Sequence, residues 1–259
     1  MHRLFLAQLL AIAAFCACCS TGSAIVIPDW FPAAKFGLFI HFAPVVEWGA
    51  ELSWPLVCTK LPCEVQSANS STITIRTIDE LKRHRQAYAA LPAAFNPRSF
   101  DADALAELAA AAGFRYVVFT TVHCDGFANY RTQTTNYSIE HTPFGRDMFA
   151  LIASAFRKRG IRVGAYYCPS LWQAAALASL FSLNAFVHSG YRNNDLYWYP
   201  DATTALAIGC RPSYDPLRFP QRWDSFVSFV HKQVTELIDQ YRPDLFWFGQ
   251  RTSWKCKAF

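Results

Sequence analysis

The sequence predicts an α/β fold built on a parallel sheet. Three observations carry this reading. Short runs rich in β-branched and aromatic residues alternate with amphipathic or alanine-rich helical segments. The helical segments stop at glycines that permit a left-handed turn, Gly113 and Gly160. Three of the four apolar runs release titratable or polar side chains at their carboxyl ends: His41, His123 and Tyr166 or Tyr167. Site residues spread over the ends of several parallel strands are the layout of a (β/α)8 TIM-like barrel. The four units found here correspond to the first half of such a barrel, which implies a truncated one.

The first predicted strand is Lys35–His41 (KFGLFIH), ending in a histidine. Residues Phe42–Pro97 follow as a long irregular segment, with Glu47, Trp48, Glu51, Trp54 and a charged helical piece near Thr77–Tyr88. Such a length means either a functional loop or a small subdomain. Asp101–Ala112 reads as a helix with Asp101 near its N-cap and leucines at 105 and 108. Tyr116–Thr121 is the second strand. Its apolar character on both faces suits a buried parallel sheet, and His123, Cys124 and Asp125 follow it at once with Gly126 in the turn. Arg146–Arg159 is helical, and Ile161–Tyr167 is the third strand. Residues Trp172–Pro220 carry weak turn signals, with a possible helix near Leu171–Phe181. Arg222–Tyr241 is amphipathic, with Phe226, Phe229, Val230, Val234 and Leu237 on one face. Pro243 breaks it before a fourth strand, Asp244–Phe248.

With 259 residues, 53% of them hydrophobic and 17% charged, the chain has enough apolar side chains for a large core and too little charge for disorder. The aromatic share, 16%, suits a thick core or stacking platforms for sugar rings. A net charge of +5 from scattered basic residues leaves no nucleic-acid footprint. Residues 1–24 read as a secretory signal peptide: a basic start, an apolar stretch too short to span a membrane, then the small residues Gly22, Ser23 and Ala24. No later run is long and apolar enough to be a span. The expected location is therefore secreted or lumenal. Cys16, Cys18 and Cys19 fall in the leader, leaving Cys58, Cys63, Cys124, Cys168, Cys210 and Cys256. In an oxidising compartment some should pair, Cys58 with Cys63 most readily, and their spacing forms no zinc pattern. Sequons stand at Asn69 and Asn136.

Four motifs taken together resemble the α-L-fucosidases of glycoside hydrolase family 29. They are KFGLFIH at 35–41, the run from Phe95 to Phe127 that ends VHCDGF, GRDMFALIASAFRKRGIRVGAYY at 145–167, and QVTELIDQYRPDLFWF at 233–248. The resemblance implies a catalytic (β/α)8-like barrel over residues 25–248. It implies retaining hydrolysis of terminal α-L-fucose on glycoconjugates in a lysosomal or secreted setting, with no metal or organic cofactor. It offers a fucosylated glycan as partner and leaves the oligomeric state open. By resemblance the substrate-binding residues are His41, Glu51, His123, Cys124, Tyr166 and Trp247. His41 and His123 would hydrogen-bond sugar hydroxyls, and Cys124 stands where the family has a second histidine. Its thiol would be a weaker ligand.

The departures are as informative. Retaining glycosidases need two carboxyl groups, one of them the nucleophile. The family carries its nucleophile as an aspartate two places after the tryptophan of the fourth strand, and that position here is Gly249. The period of two along a strand puts position 249 on the face of Trp247, so no carboxylate projects inward there. Asp244 lies at the amino end of the strand, the stability end of a barrel. The stretch 249–259 departs abruptly from the family into a polar, basic tail, which suggests a retained intron or frameshift. The expectations are thus an α-L-fucosidase by family with no intact catalytic residue. The alternatives are a non-catalytic fucose-binding protein or a non-functional fragment.

Overall fold

The computed structural model describes residues 28–56, 58, 61–168 and 220–249. The leader, the possible helix near Leu171–Phe181, Cys210, Cys256 and the tail after Gly249 lie outside the described residues. An N-terminal unit ends at Lys35, and its described residues contain the short helix α1 (Trp30–Ala34). The second unit begins at Phe36 and holds the other elements of the described residues.

Its centre is a parallel four-stranded sheet in the order β1 (Gly37–Ile40), β4 (Tyr116–Val122), β5 (Arg162–Tyr167), β6 (Leu245–Phe248). All four strands stand within a residue or two of where the apolar runs predict them. The sheet's two faces differ. On one face Val117, Phe119, Val163, Ala165 and Tyr167 join the main core with residues from α3 (Ala102–Ala111) and α4 (Met148–Arg157). Phe119 and Phe149 stack there at 6.2 Å. Each helix starts on a side-chain cap: Asp101 Oδ1 accepts the amide of Ala104 and Asp147 Oδ1 that of Ala150, both at 2.9 Å. Leu108 is exposed, and α3 buries Ala102, Ala106 and Ala109 instead. Leu105 packs against the core beside these alanines, and Leu108 falls outside that stripe of the helix.

On the other face the glycines of β1 and β5 make room for larger neighbours. A Cβ at Gly37 would run into the ring of Tyr116, and one at Gly164 would lie 2.9 Å from Leu245 and 3.2 Å from Val118. This face carries Phe39, Val118, Thr120, Tyr166, Leu245 and Trp247, which alternate in register with the helix-facing set. Phe39 and Trp247, on the first and last strands, are exposed.

The irregular segment predicted for Phe42–Pro97 is a small subdomain. It contains an antiparallel hairpin, β2 (Cys63–Gln66) with β3 (Thr72–Ile75), and α2 (Ile78–Ala89). A capping box opens α2, with Thr77 and Glu80 each satisfying the other's backbone amide. Cys58, Val65, Ile75 and Leu81 form its own core, and Cys58 is bonded to Cys63 as the spacing predicts, with Cα atoms 5.8 Å apart.

Helix α5 (Pro220–Tyr241) packs Phe229, Val230, Val234 and Leu237 on the main core; the side chain of Phe226 lies outside the described set. It also buries Gln233, whose Oε1 accepts from the Tyr167 hydroxyl at 2.8 Å and whose Nε2 donates to Thr134 at 2.9 Å. Asp244, just before β6, accepts from the Val163 amide and from Arg162, both at 2.9 Å. It therefore stitches the amino ends of two strands, as the sequence argument about the stability end requires. Among the described residues no helix is long and apolar enough to cross a membrane, and no His, Cys, Asp and Glu cluster could hold a metal ion.

Candidate functional site

The carboxyl ends of the four strands bring His41, His123, Tyr166 and Trp247 together on the open face. His41 leaves the end of β1. Its Nδ1 lies 2.7 Å from Thr120 Oγ1 on the adjacent strand, and that hydroxyl is 3.1 Å from the Ile40 carbonyl. His123 follows β4 by one residue, is buried, and is bonded through Nδ1 to Ser53 Oγ from the subdomain. Tyr166 stacks its ring on His123, with centroids 5.5 Å apart and planes 15° apart. It turns its edge toward His41 at 5.4 Å and toward Phe39 at 5.7 Å. Phe39 in turn meets Trp247 edge-on at 5.5 Å. The two histidine rings are 5.8 Å apart and perpendicular.

Electrostatics keep both imidazoles neutral near pH 7. Burial, helped by neighbouring His41, pushes the His123 pKa down to about 3. The packed rings also take water from His41 and lower its pKa, while the charge of Glu51 opposes that shift. Glu51 thus acts on the site through its field from an exposed position on the subdomain loop. Burial raises the Tyr166 hydroxyl to about 12, so it stays protonated and can donate.

Gly249 continues the β6 ladder, donating its amide to the Tyr167 carbonyl at 3.0 Å. A Cβ built on it would overlap the phenol of Tyr166. Position 249 therefore faces the same side as Tyr166 and Trp247, and it carries no carboxylate. Asp125 does not supply one. It is buried, with one oxygen taking the Tyr88 hydroxyl at 2.6 Å and the other the Phe127 amide at 3.1 Å.

One expectation is corrected. Cys124 offers no thiol to a ligand, because its sulfur is bonded to Cys168 just past β5, with Cα atoms 5.4 Å apart. A disulfide sulfur has no proton to donate. The bridge ties the ends of β4 and β5 beneath Tyr166, in a cluster with Val118. Sequence reasoning missed Ser53, Thr120, Phe39 and this pairing. Thr120 could have been found by counting, since it shares the strand parity of Val118. Ser53 stands seventy positions from His123 and leaves no local signal.

Known proteins similar to this chain share one family description. The sequence model of the family described as Alpha-L-fucosidase matches residues 17–257. The tissue alpha-L-fucosidase of Rattus norvegicus is 34% identical over 246 residues, which cover 84% of this chain and 51% of the rat protein. That of Bos taurus is 33% identical, with the same coverages of 84% and 51%. Among solved structures, an alpha-L-fucosidase from Lactobacillus casei in complex with its α-L-fucose product is similar at a TM-score of 0.55 and 27% identity, covering 86% of this chain and 62% of that one. The chain spans about half the length of the curated relatives it matches. With matching sequence motifs, a family match along nearly its whole length and an α/β parallel sheet shared with solved members, this chain belongs to the α-L-fucosidase family.

Proposed function

We propose that the open face holds a terminal α-L-fucose residue of a glycoconjugate, in the manner of a retaining α-L-fucosidase, and that with Gly249 at the nucleophile position the chain binds the sugar without cleaving it. The observation that carries this reading is the convergence of His41, His123 and Tyr166 on one face with the bare Cα of Gly249. A neutral sugar needs fixed, uncharged donors and acceptors around an apolar wall. Two neutral imidazoles and a protonated phenol supply the first. The rings of Phe39 and Trp247 supply the second, suited to a methyl at C6. Glu51 contributes its charge beside His41.

In a retaining glycosidase a carboxylate attacks the anomeric carbon while a second carboxyl group protonates the leaving oxygen, and water later releases the sugar. Glycine cannot perform the attack. Asp125 has both oxygens engaged, and Asp244 sits at the opposite end of the strands. In this reading the sheet is four strands of a (β/α)8-like barrel spanning residues 25–248, and no metal or organic cofactor takes part. The leader pattern, the Cys58–Cys63 bridge and the exposed sequon asparagines Asn69 and Asn136 support a secreted or lysosomal location.

Two measurements on the full chain test the proposal. Calorimetric titration with L-fucose should give saturable heat, and 4-nitrophenyl α-L-fucoside should release no nitrophenol. Release would overturn the loss of catalysis, and absence of heat would overturn the sugar site.

A further inference from the structure

We propose that the two site histidines stand as opposite tautomers, His41 protonated at Nδ1 and His123 at Nε2, and that Thr120 and Ser53 are the positioning residues that set them. Its functional meaning rests on the sugar-site reading above, but the tautomers follow from counting hydroxyl protons.

A threonine hydroxyl has one proton and can also accept. Thr120 Oγ1 lies 3.1 Å from the Ile40 carbonyl oxygen, which can only accept, and 2.7 Å from His41 Nδ1. Both contacts are hydrogen bonds in one arrangement: Thr120 donates to Ile40 and accepts from His41 Nδ1–H. The Nε2 of His41 is then a bare lone pair. Ser53 is in the opposite situation. Its hydroxyl is buried, and its one side-chain partner among the described residues is Nδ1 of His123. A buried hydroxyl proton with no acceptor costs about 1–3 kcal/mol. Ser53 therefore donates to Nδ1, and His123 carries its proton on Nε2. The depressed pKa of both rings leaves each with a single proton near neutral pH, as the argument requires.

The two Nε2 atoms make no hydrogen bond among the described residues and are the ends left for a ligand. One accepts and the other donates, on perpendicular rings 5.8 Å apart. A polyol fits such a pair by giving an O–H to His41 and offering an oxygen lone pair to His123. A ligand that only accepts, such as an ether or a carbonyl, satisfies His123 alone. The pair thus selects for hydroxyl groups by polarity.

The test is a long-range proton–nitrogen correlation spectrum of the histidine-15N-labelled full chain at neutral pH without ligand. The expected pattern is pyrrole-type Nδ1 with pyridine-type Nε2 for His41, and the reverse for His123. Thr120→Val should release the His41 tautomer to a mixture, Thr120→Ser should restore it, and Ser53→Ala should do the same to His123. Thr120→Val should also weaken L-fucose binding about tenfold, close to the loss of one hydrogen bond, with recovery in Thr120→Ser. The same tautomer on both wild-type rings would overturn the inference, as would an unchanged His41 pattern in Thr120→Val. Tautomers as assigned together with no response to L-fucose would uphold the positioning roles and overturn the sugar reading instead.

Discussion

Gly249 and Tyr166 compete for one volume: a side chain at position 249 would run into the phenol that stacks on His123. Introducing a carboxylate by Gly249→Asp therefore displaces Tyr166 rather than adding a nucleophile beside an intact site. The expected result is no gain in fucoside hydrolysis and a lower melting temperature, because overpacking of this kind costs about 1–3 kcal/mol. Combining Gly249→Asp with Tyr166→Ala should return part of that stability, which a double-mutant cycle of thermal melts measures.

His123 makes the fold acid-sensitive. Its folded pKa, about 3, lies below the unfolded value of 6.5, so the folded chain binds fewer protons than the unfolded one between those limits. The stabilisation from the neutral ring is complete above about pH 6.5 and is lost as pH falls toward 3, with a slope of up to about 1.4 kcal/mol per pH unit. Urea melts of His123→Gln across that window should show a flatter acid limb than the parent chain.

The buried carboxyl of Asp125 behaves in the opposite direction. Burial raises its pKa, and the Tyr88 hydroxyl partly counters the rise by stabilising the carboxylate. Tyr88→Phe removes that donor and should cost about 1–3 kcal/mol, the penalty of an under-satisfied buried polar group. The loss should grow as pH rises through the titration of Asp125, because the phenol stabilises the carboxylate more than the protonated acid. Denaturation at two pH values reads the difference.

The Cys124–Cys168 bridge closes a loop of 44 residues, which in the chain-entropy picture is worth about 3–4 kcal/mol. In a background in which every cysteine except Cys124 and Cys168 is replaced by alanine, reductant should lower the melting temperature through this bridge alone. It should also weaken L-fucose binding, since Cys124 adjoins His123 and packs with Tyr166. Unchanged fucose affinity after reduction would argue against a role for the bridge in shaping the site.

Legibility in the sequence followed the range of the interactions. The strand Tyr116–Val122 and the helix Met148–Arg157 were readable because apolar run length, N-caps and closing glycines are local. The hairpin was missed although Thr72–Ile75 alternates Thr and Ile, because only Val65 and Ile75 of its two strands are buried, which makes the apolar signal thin. The helix Pro220–Tyr241 showed its apolar stripe, but a buried Gln233 looks like a solvent-facing polar residue until Tyr167 and Thr134 are placed beside it.

By itself the sequence determined the parallel α/β framework, the family, and the histidines and the glycine at the strand ends. Each of these is written in a short motif or in a periodicity of two or 3.6 residues. Only the tertiary structure decided that Ser53 and Thr120 hold the two histidines, that Cys124 is spent on Cys168, and that Tyr166 fills the space before Gly249. Those relationships join residues 44 to 83 positions apart. Hydrogen bonds and packing act over a few ångströms of space, and chain separation at that distance carries no trace in local pattern.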